Sequence, residues 1–254
     1  KPAPTPEITP EPTLTPEVTS TPTPMTPSPA PEDAPIAPVN PPQIYDKEGG
    51  EKFVYLTFDD GPSKNTEAIL EILTQKGVAA TFFVIGDNAE RYPDKVRAIA
   101  AQGSLVANHT QTHKTDEIYK SEEAFLEDIN RGRETILSIL GEGYPDDLMR
   151  FPYGSTNRRC REYRDGVKAA GYRFFDWNAL NGDAESGASK RSAQDLYDEL
   201  VKTVDVQAKK GRDIIILMHD TNSKGNTVTM LPDAIDYLFG LGYTFATLEN
   251  VPMV

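Results

Sequence analysis

Cysteine is almost absent from this 254-residue chain, which has one, Cys160. A single thiol can close no internal disulfide and build no thiolate cluster, so disulfide-stapled scaffolds and zinc fingers are excluded. Basic side chains are in deficit, 26 against 39 acidic ones, for a formal net charge of -13. Phosphate backbones and anionic headgroups repel that sign of charge, which argues against nucleic acid and membrane surfaces as partners. Long apolar runs are missing as well. The strongest, Ile214 to Met218, falls far short of the ~20 residues a membrane helix needs, so no membrane insertion is expected. Histidine is scarce, with His109, His113 and His219 the full complement.

Proline is plentiful but confined. Of 21 prolines, 15 lie in residues 1–42, where they alternate with Thr and scattered Glu. Such a segment cannot bury enough apolar surface to offset the entropy of ordering it, so 1–42 is expected to be a disordered, extended Pro/Thr-rich linker. Thr-Pro tracts are also the composition of spacers in secreted bacterial proteins, which gives an extracellular or cell-wall location as an expectation. The chain opens at Lys1 without Met or an apolar leader, so any signal peptide or upstream module is expected to lie outside this sequence.

Residues 43–254 read as one domain, within the size range of a single α/β barrel. Apolar runs of strand length at 53–58, 79–85, 104–107, 148–151, 172–177, 213–218 and 243–248 predict seven strands. The stretches at 66–77, 93–103, 122–140, 161–171, 193–211 and 228–242 carry the i, i+3, i+4 spacing of amphipathic helices, several of them ending in Gly. Strand–helix alternation builds a parallel sheet with right-handed crossovers, and of the two arrangements this permits a barrel is expected over a doubly wound sheet.

In parallel α/β folds the chemistry gathers at the C-terminal strand ends. The first strand runs into Asp59, Asp60, Gly61 and Pro62, the third into Asn108, His109 and His113, and the sixth into His219 and Asp220. Each feature has a plain alternative: an Asp before Gly-Pro is an ordinary turn signal, and two histidines four apart occur by chance. If the His109–His113 spacing falls on a helical turn, both rings share a face. Joined to an aspartate they form a three-ligand cation site with room for water.

The stretches Thr57-Phe58-Asp59-Asp60-Gly61-Pro62, His109-Thr110-Gln111-Thr112-His113, Arg150-Phe151-Pro152-Tyr153-Gly154 and Leu217-Met218-His219-Asp220 resemble, in order and spacing, four of the five signature motifs of the polysaccharide deacetylases, carbohydrate esterase family 4. The resemblance covers residues 50–250 and implies a distorted seven-stranded (β/α) barrel. It implies that Asp60, His109 and His113 hold one divalent metal ion, zinc by default with cobalt, nickel or manganese as alternatives. Asp59 would be the general base, oriented by Arg150, and the backbone N–H of Tyr153 would stabilise the oxyanion, with Pro152 fixing its loop. His219 would protonate the departing amine, and Leu217 would line the acetyl pocket.

The fifth motif departs from the family pattern. An Asp-x-x-Asp-Trp stretch is usual, whereas this chain reads Asp176-Trp177-Asn178-Ala179-Leu180-Asn181-Gly182-Asp183-Ala184. The alignment preferred here gives Asp183 the task of charging His219, with Asp176 the competing assignment, and leaves Trp177 as core packing or substrate platform. Cys160 lies outside every motif and reads as an inert thiol, while Arg158, Arg159, Arg161 and Arg164 read as a solvated helix face. The implied function is removal of acetyl groups from N-acetylglucosamine residues of a polysaccharide, peptidoglycan first, by a monomer. Chitooligosaccharides and acetylated xylan are alternatives on the same scaffold, and a non-catalytic glycan-binding wall module is the alternative from another class.

Overall fold

Alternation along the first strand sets the layout. In the computed structural model, which describes residues 51–249 and 251, Val54, Leu56 and Phe58 have no exposed surface and face the helices, while Phe53, Tyr55, Thr57 and Asp59 face the other way. The Pro/Thr-rich segment expected to be a disordered linker lies outside the described residues.

The elements run β1 (Phe53–Gly61), α1 (Thr66–Lys76), β2 (Thr81–Val84), α2 (Gly86–Arg91), α3 (Pro93–Ala101), β3 (Leu105–Asn108), α4 (Thr115–Ile118), α5 (Glu122–Leu140), β4 (Leu148–Met149), α6 (Arg164–Ala169), β5 (Arg173–Phe174), β6 (Ala179–Leu180), α7 (Ala193–Ala208), β7 (Ile214–His219), α8 (Gly225–Gly240) and β8 (Thr244–Phe245). Seven strands lie on one path in the order β5-β4-β3-β2-β1-β7-β6, and β8 pairs with the start of β1. Every pairing is parallel. This is the distorted seven-stranded (β/α) barrel the motifs imply. Each of the seven predicted strands has a counterpart, but β8 stands off the main path, and β6, two residues long, takes the place beside β7.

Local chemistry explains several boundaries. Gly77 ends α1 in a left-handed conformation (φ 66°), where its N–H caps the carbonyls of Leu73 and Thr74. Ser121 opens α5 by accepting from the N–H of Ala124, and Ser192 with Asp195 forms a reciprocal capping box on α7. The helix-facing core joins β1 and β7 to Ile69 and Leu73 of α1, Leu200 and Val204 of α7 and Leu231 and Ile235 of α8. A separate cluster of Phe53, Tyr55, Phe83, Leu105, Ala107 and Leu148 packs the other side of the sheet. The polar residues of that side occupy the C-terminal strand ends.

Candidate active site

Two adjacent carboxylates cannot ordinarily face the same way on a strand. The pairing of β1 with β2 slips between Asp59 and Gly61, and Asp60 takes a left-handed backbone (φ 71°). This bulge re-aims Asp60, which strict alternation would have sent toward the helices. A left-handed non-glycine residue costs about 1–2 kcal/mol, and Asp is among those that tolerate it best. Asp59 is buried, and its Oδ1 accepts from Nη1 of Arg150 at 2.8 Å. Arg150 has no exposed surface. Its Nη1 also donates to Thr57 Oγ1 at 2.7 Å and its Nε to the Phe175 carbonyl at 2.8 Å, while the guanidinium lies 4.1 Å from the Phe83 ring centre. Burial pulls the guanidinium below its ordinary value against the charge and hydrogen bond of Asp59, yet it stays protonated.

His109 follows β3, and its Nδ1 lies 2.9 Å from the carbonyl of Arg150. A carbonyl only accepts, so Nδ1 carries the proton and Nε2 presents a lone pair. His113 reaches the same place by a different route from the helical turn considered above. Residues 109–113 form a loop in which Thr110 (φ 69°) and His113 (φ 56°) are left-handed, so the shared direction of the two rings comes from the loop. Nε2 of His109 and Nε2 of His113 each lie 3.5 Å from Asp60 Oδ1, and all three atoms fall within 4.8 Å of one another. Asp60 Oδ1 is buried, yet it accepts no hydrogen bond among the described residues. Burial, then the neighbouring His109, holds His113 below the ordinary imidazole value, against the carboxylates of Asp60 and Asp59.

Three converging donor atoms, one of them a buried carboxylate oxygen that accepts no hydrogen bond among the described residues, suit a cation. Tetrahedral ligands at 2.0–2.1 Å from a common ion stand about 3.3 Å apart, close to the 3.5 Å between Asp60 Oδ1 and each histidine nitrogen. The donor set fits a divalent metal.

The loop bearing these histidines is fixed from α5. Asp128 accepts from the N–H groups of Gln111 at 2.8 Å and Thr112 at 3.1 Å, and from Thr112 Oγ1 at 3.1 Å. Asn108 Nδ2 donates to the Ile129 carbonyl while its Oδ1 accepts from the Thr110 N–H. Gly132 is required below: a Cβ there would lie 2.6 Å from Asn108 Oδ1 and about 3.0 Å from the Thr110 backbone. Asp128 escaped the motif reading, although an acidic residue among the buried positions 125, 128, 129, 132 and 136 of an amphipathic helix was the available signal. Asp128→Asn keeps the shape but loses an acceptor, and cation affinity is expected to fall about tenfold or more, measured by calorimetry.

Across the site, the β1–β7 register sets His219 opposite Asp59. His219 Nδ1 lies 2.7 Å from Asp183 Oδ1, and Asp183 Oδ2 accepts from the His219 N–H at 3.0 Å and Thr227 Oγ1 at 2.7 Å. Burial disfavours the imidazolium, but the hydrogen bond and charge of Asp183, with smaller contributions from Asp59 and Asp60, outweigh it and raise His219 above its ordinary value. Asp183 in turn is lowered, its burial overcome by His219 and Thr227. The alternative, Asp176, is engaged elsewhere: its carboxylate accepts from the N–H of Ser155 at 2.8 Å and its Oγ at 2.7 Å. That grip on the loop after Gly154 leaves the partnership with His219 to Asp183.

Leu217, two residues before His219 on the same face, is buried in register with Thr57. Trp177 is half-buried, 5.7 Å from the Arg150 guanidinium and 3.3 Å from a Cβ placed at Gly154. It packs the loop and leaves part of its ring outward. Tyr153 is left-handed (φ 63°) and 68% exposed, its ring 5.8 Å from that of His113, with Pro152 before it in the same turn. Asp220 is a motif position to which the sequence assigned no role. Buried, it accepts from Ser63 Oγ and Thr66 Oγ1 and donates its N–H to the Asp59 carbonyl, tying the loop after Asp60 to β7. A cavity of about 260 Å³ opens beside the cation ligands, lined by Asp60, His113, Ser63, Tyr92 and Asn222.

Known proteins give the same grouping of residues a family. The sequence pattern described as polysaccharide deacetylase matches residues 46–175. A peptidoglycan-N-acetylglucosamine deacetylase of Bacillus cereus is 32% identical over 194 residues, 76% of this chain and 68% of that protein. A chitooligosaccharide deacetylase of Rhizobium leguminosarum bv. trifolii is 32% identical over 222 residues, 81% of this chain and 95% of that one. Among solved structures, the catalytic domain of peptidoglycan N-acetylglucosamine deacetylase from Eubacterium rectale superposes with a TM-score of 0.70 at 32% identity, covering 81% of this chain and 92% of the other. By sequence pattern, by relatives and by fold, this chain belongs to the polysaccharide deacetylase family, carbohydrate esterase family 4.

Proposed function

We propose that the chain is a metal-dependent hydrolase that removes acetyl groups from N-acetylglucosamine residues of a polysaccharide, with peptidoglycan the substrate. The observation that carries this reading is the meeting of three units at one set of strand ends: the Asp60, His109 and His113 donors, the Asp59–Arg150 pair and the Asp183–His219 pair. The overall change is acetamide plus water to amine plus acetate. When bound, a divalent cation at Asp60, His109 and His113 supplies Lewis acidity toward the acetyl carbonyl and the attacking water. Zinc suits the mixed nitrogen and oxygen donors, and cobalt, nickel or manganese can take the same ligands.

The chain's own groups divide the remaining work. Asp59, fixed by Arg150, takes the proton from the attacking water. The N–H of Tyr153 donates to the developing oxyanion. His219, kept as imidazolium by Asp183, gives its proton to the departing amine. Leu217 lines the space for the acetyl methyl, and Pro152 with Trp177 shapes the adjoining wall. A module that only binds glycan has no use for a buried Arg–Asp pair beside a charged His–Asp pair, which favours the enzyme.

The relatives named for peptidoglycan support that substrate, and the Rhizobium relative supports chitooligosaccharides as the second reading. The Pro/Thr composition of residues 1–42 supports a secreted or wall-associated enzyme. Acetate release from peptidoglycan, chitooligosaccharides and acetylated xylan, measured side by side with the zinc-loaded protein, tests the assignment. Release is expected to be fastest from peptidoglycan; preference for chitooligosaccharides or xylan would reassign the substrate, and release from none would turn the reading toward a binding module.

A further inference from the structure

Tyr119, outside every motif, lies at the end of α4, six residues beyond His113. Its hydroxyl donates to the Pro152 carbonyl at 2.7 Å, a buried contact. That carbonyl belongs to the peptide whose N–H is Tyr153. A trans peptide is planar, with C=O and N–H pointing in opposite directions, so an anchor on the carbonyl sets the direction of the N–H. The setting matters because Tyr153 is held left-handed (φ 63°) and exposed, a conformation its own side chain does not favour. Among the described residues the Tyr153 N–H has no acceptor, so it is free for a ligand.

We infer that Tyr119 is a positioning residue for the oxyanion donor: its hydroxyl holds the Pro152–Tyr153 peptide so that the Tyr153 N–H meets the oxyanion. The inference rests on the proposed role of that N–H. A hydrogen bond to the carbonyl also polarises the peptide and makes its N–H a stronger donor, so the contact acts on strength as well as direction. The phenol is fixed in turn. Its ring packs 5.4 Å from that of Phe125 and 6.3 Å from that of Tyr163, with the Arg159 guanidinium 5.7 Å away on the ring face. Burial, then Cys160, pushes the phenol far above its ordinary value, so it stays a donor throughout the working pH range. Because α4 follows directly on the loop of His113, one short segment serves both a cation ligand and the oxyanion donor.

Tyr119→Phe keeps the ring and removes only the hydroxyl. It is expected to lower kcat on the order of tenfold, with KM and the calorimetric Kd for zinc each within about twofold of wild type. Phe125→Leu loosens the same aromatic cluster without touching the hydrogen bond, and is expected to lower Tm while leaving kcat within about twofold. A third protein carries the α-hydroxy acid analogue of tyrosine at position 153, which replaces the N–H with an ester oxygen. It should lose kcat on the order of 10², and adding Tyr119→Phe to it should cost less than about twofold more. An unchanged kcat in Tyr119→Phe, or a loss as large in the ester protein as in the native backbone, overturns the positioning role. An unchanged kcat in the ester protein alone overturns the oxyanion role of the Tyr153 N–H, and the two failures are thereby told apart.

Discussion

Asp59→Asn is expected to lower kcat by on the order of 10²–10⁴, the contribution of a positioned general base, and to destabilise the fold by about 3–5 kcal/mol. The two effects share a cause. Arg150 has no exposed surface, and among the described residues Asp59 is its only carboxylate partner within ion-pair distance. An amide at 59 keeps a hydrogen-bond acceptor but leaves the guanidinium charge uncompensated away from water. Arg150→Met removes the charge at similar length, so the double variant should regain part of the stability lost by Asp59→Asn while remaining inactive. Urea unfolding beside steady-state kinetics on the four proteins of this cycle checks both halves. Additive losses of stability would mean that the pair is not coupled as its 2.8 Å contact implies.

Asp183→Asn is expected to move the alkaline limb of kcat/KM downward by about 1–2 pH units, and so to cost on the order of 10–100-fold in activity on the alkaline side. His219 must be imidazolium to protonate the amine, so activity is present below its folded-state value and lost as pH rises through it. In the native protein burial works against the charged ring and Asp183 overcomes it, which places the limb above the ordinary imidazole range. With Asn at 183 the burial remains and the largest compensating interactions are gone, leaving only the smaller effects of Asp59 and Asp60. Stability follows the same logic. The raised His219 contributes stability that is complete below about pH 6.5 and lost as pH rises through its folded value; the lowered Asp183 contributes stability complete above about pH 3.9 and lost on acidification through its own. The variant should therefore differ most from wild type between those limits and less on either side of them. A limb left in place by Asp183→Asn would remove His219 from the role of acid or Asp183 from the role of its partner.

Much of this arrangement is legible in sequence because its signals are local. Apolar runs located the strands within a few residues, and Pro93, Gly77 and Ser192 mark helix ends through their own backbone chemistry. Strand ends locate Asp59, Asp60, His109 and His219 because parallel sheets gather function there. What escaped depends on distance along the chain or on unusual backbone. β6 is two residues long and exists by pairing with β7, so no periodicity could reveal it. The left-handed conformations of Asp60, Thr110, His113 and Tyr153 carry no sequence signal of their own, and the backbone beside them is gripped from elsewhere in the chain by Asp128, Asp220 and Tyr119. The choice between Asp176 and Asp183 lay between these cases. Both follow an apolar run, and only the fold shows that Ser155 occupies the first while His219 and Thr227 take the second.

The most direct test of the account is acetate release from an N-acetylglucosamine polymer by protein stripped with a chelator and then titrated with zinc. The account predicts no release from the stripped protein, full recovery at one equivalent of cation, and no recovery at that equivalence in His113→Ala or Asp60→Ala. Undiminished release from the metal-free protein, or recovery in those variants equal to wild type, would contradict it.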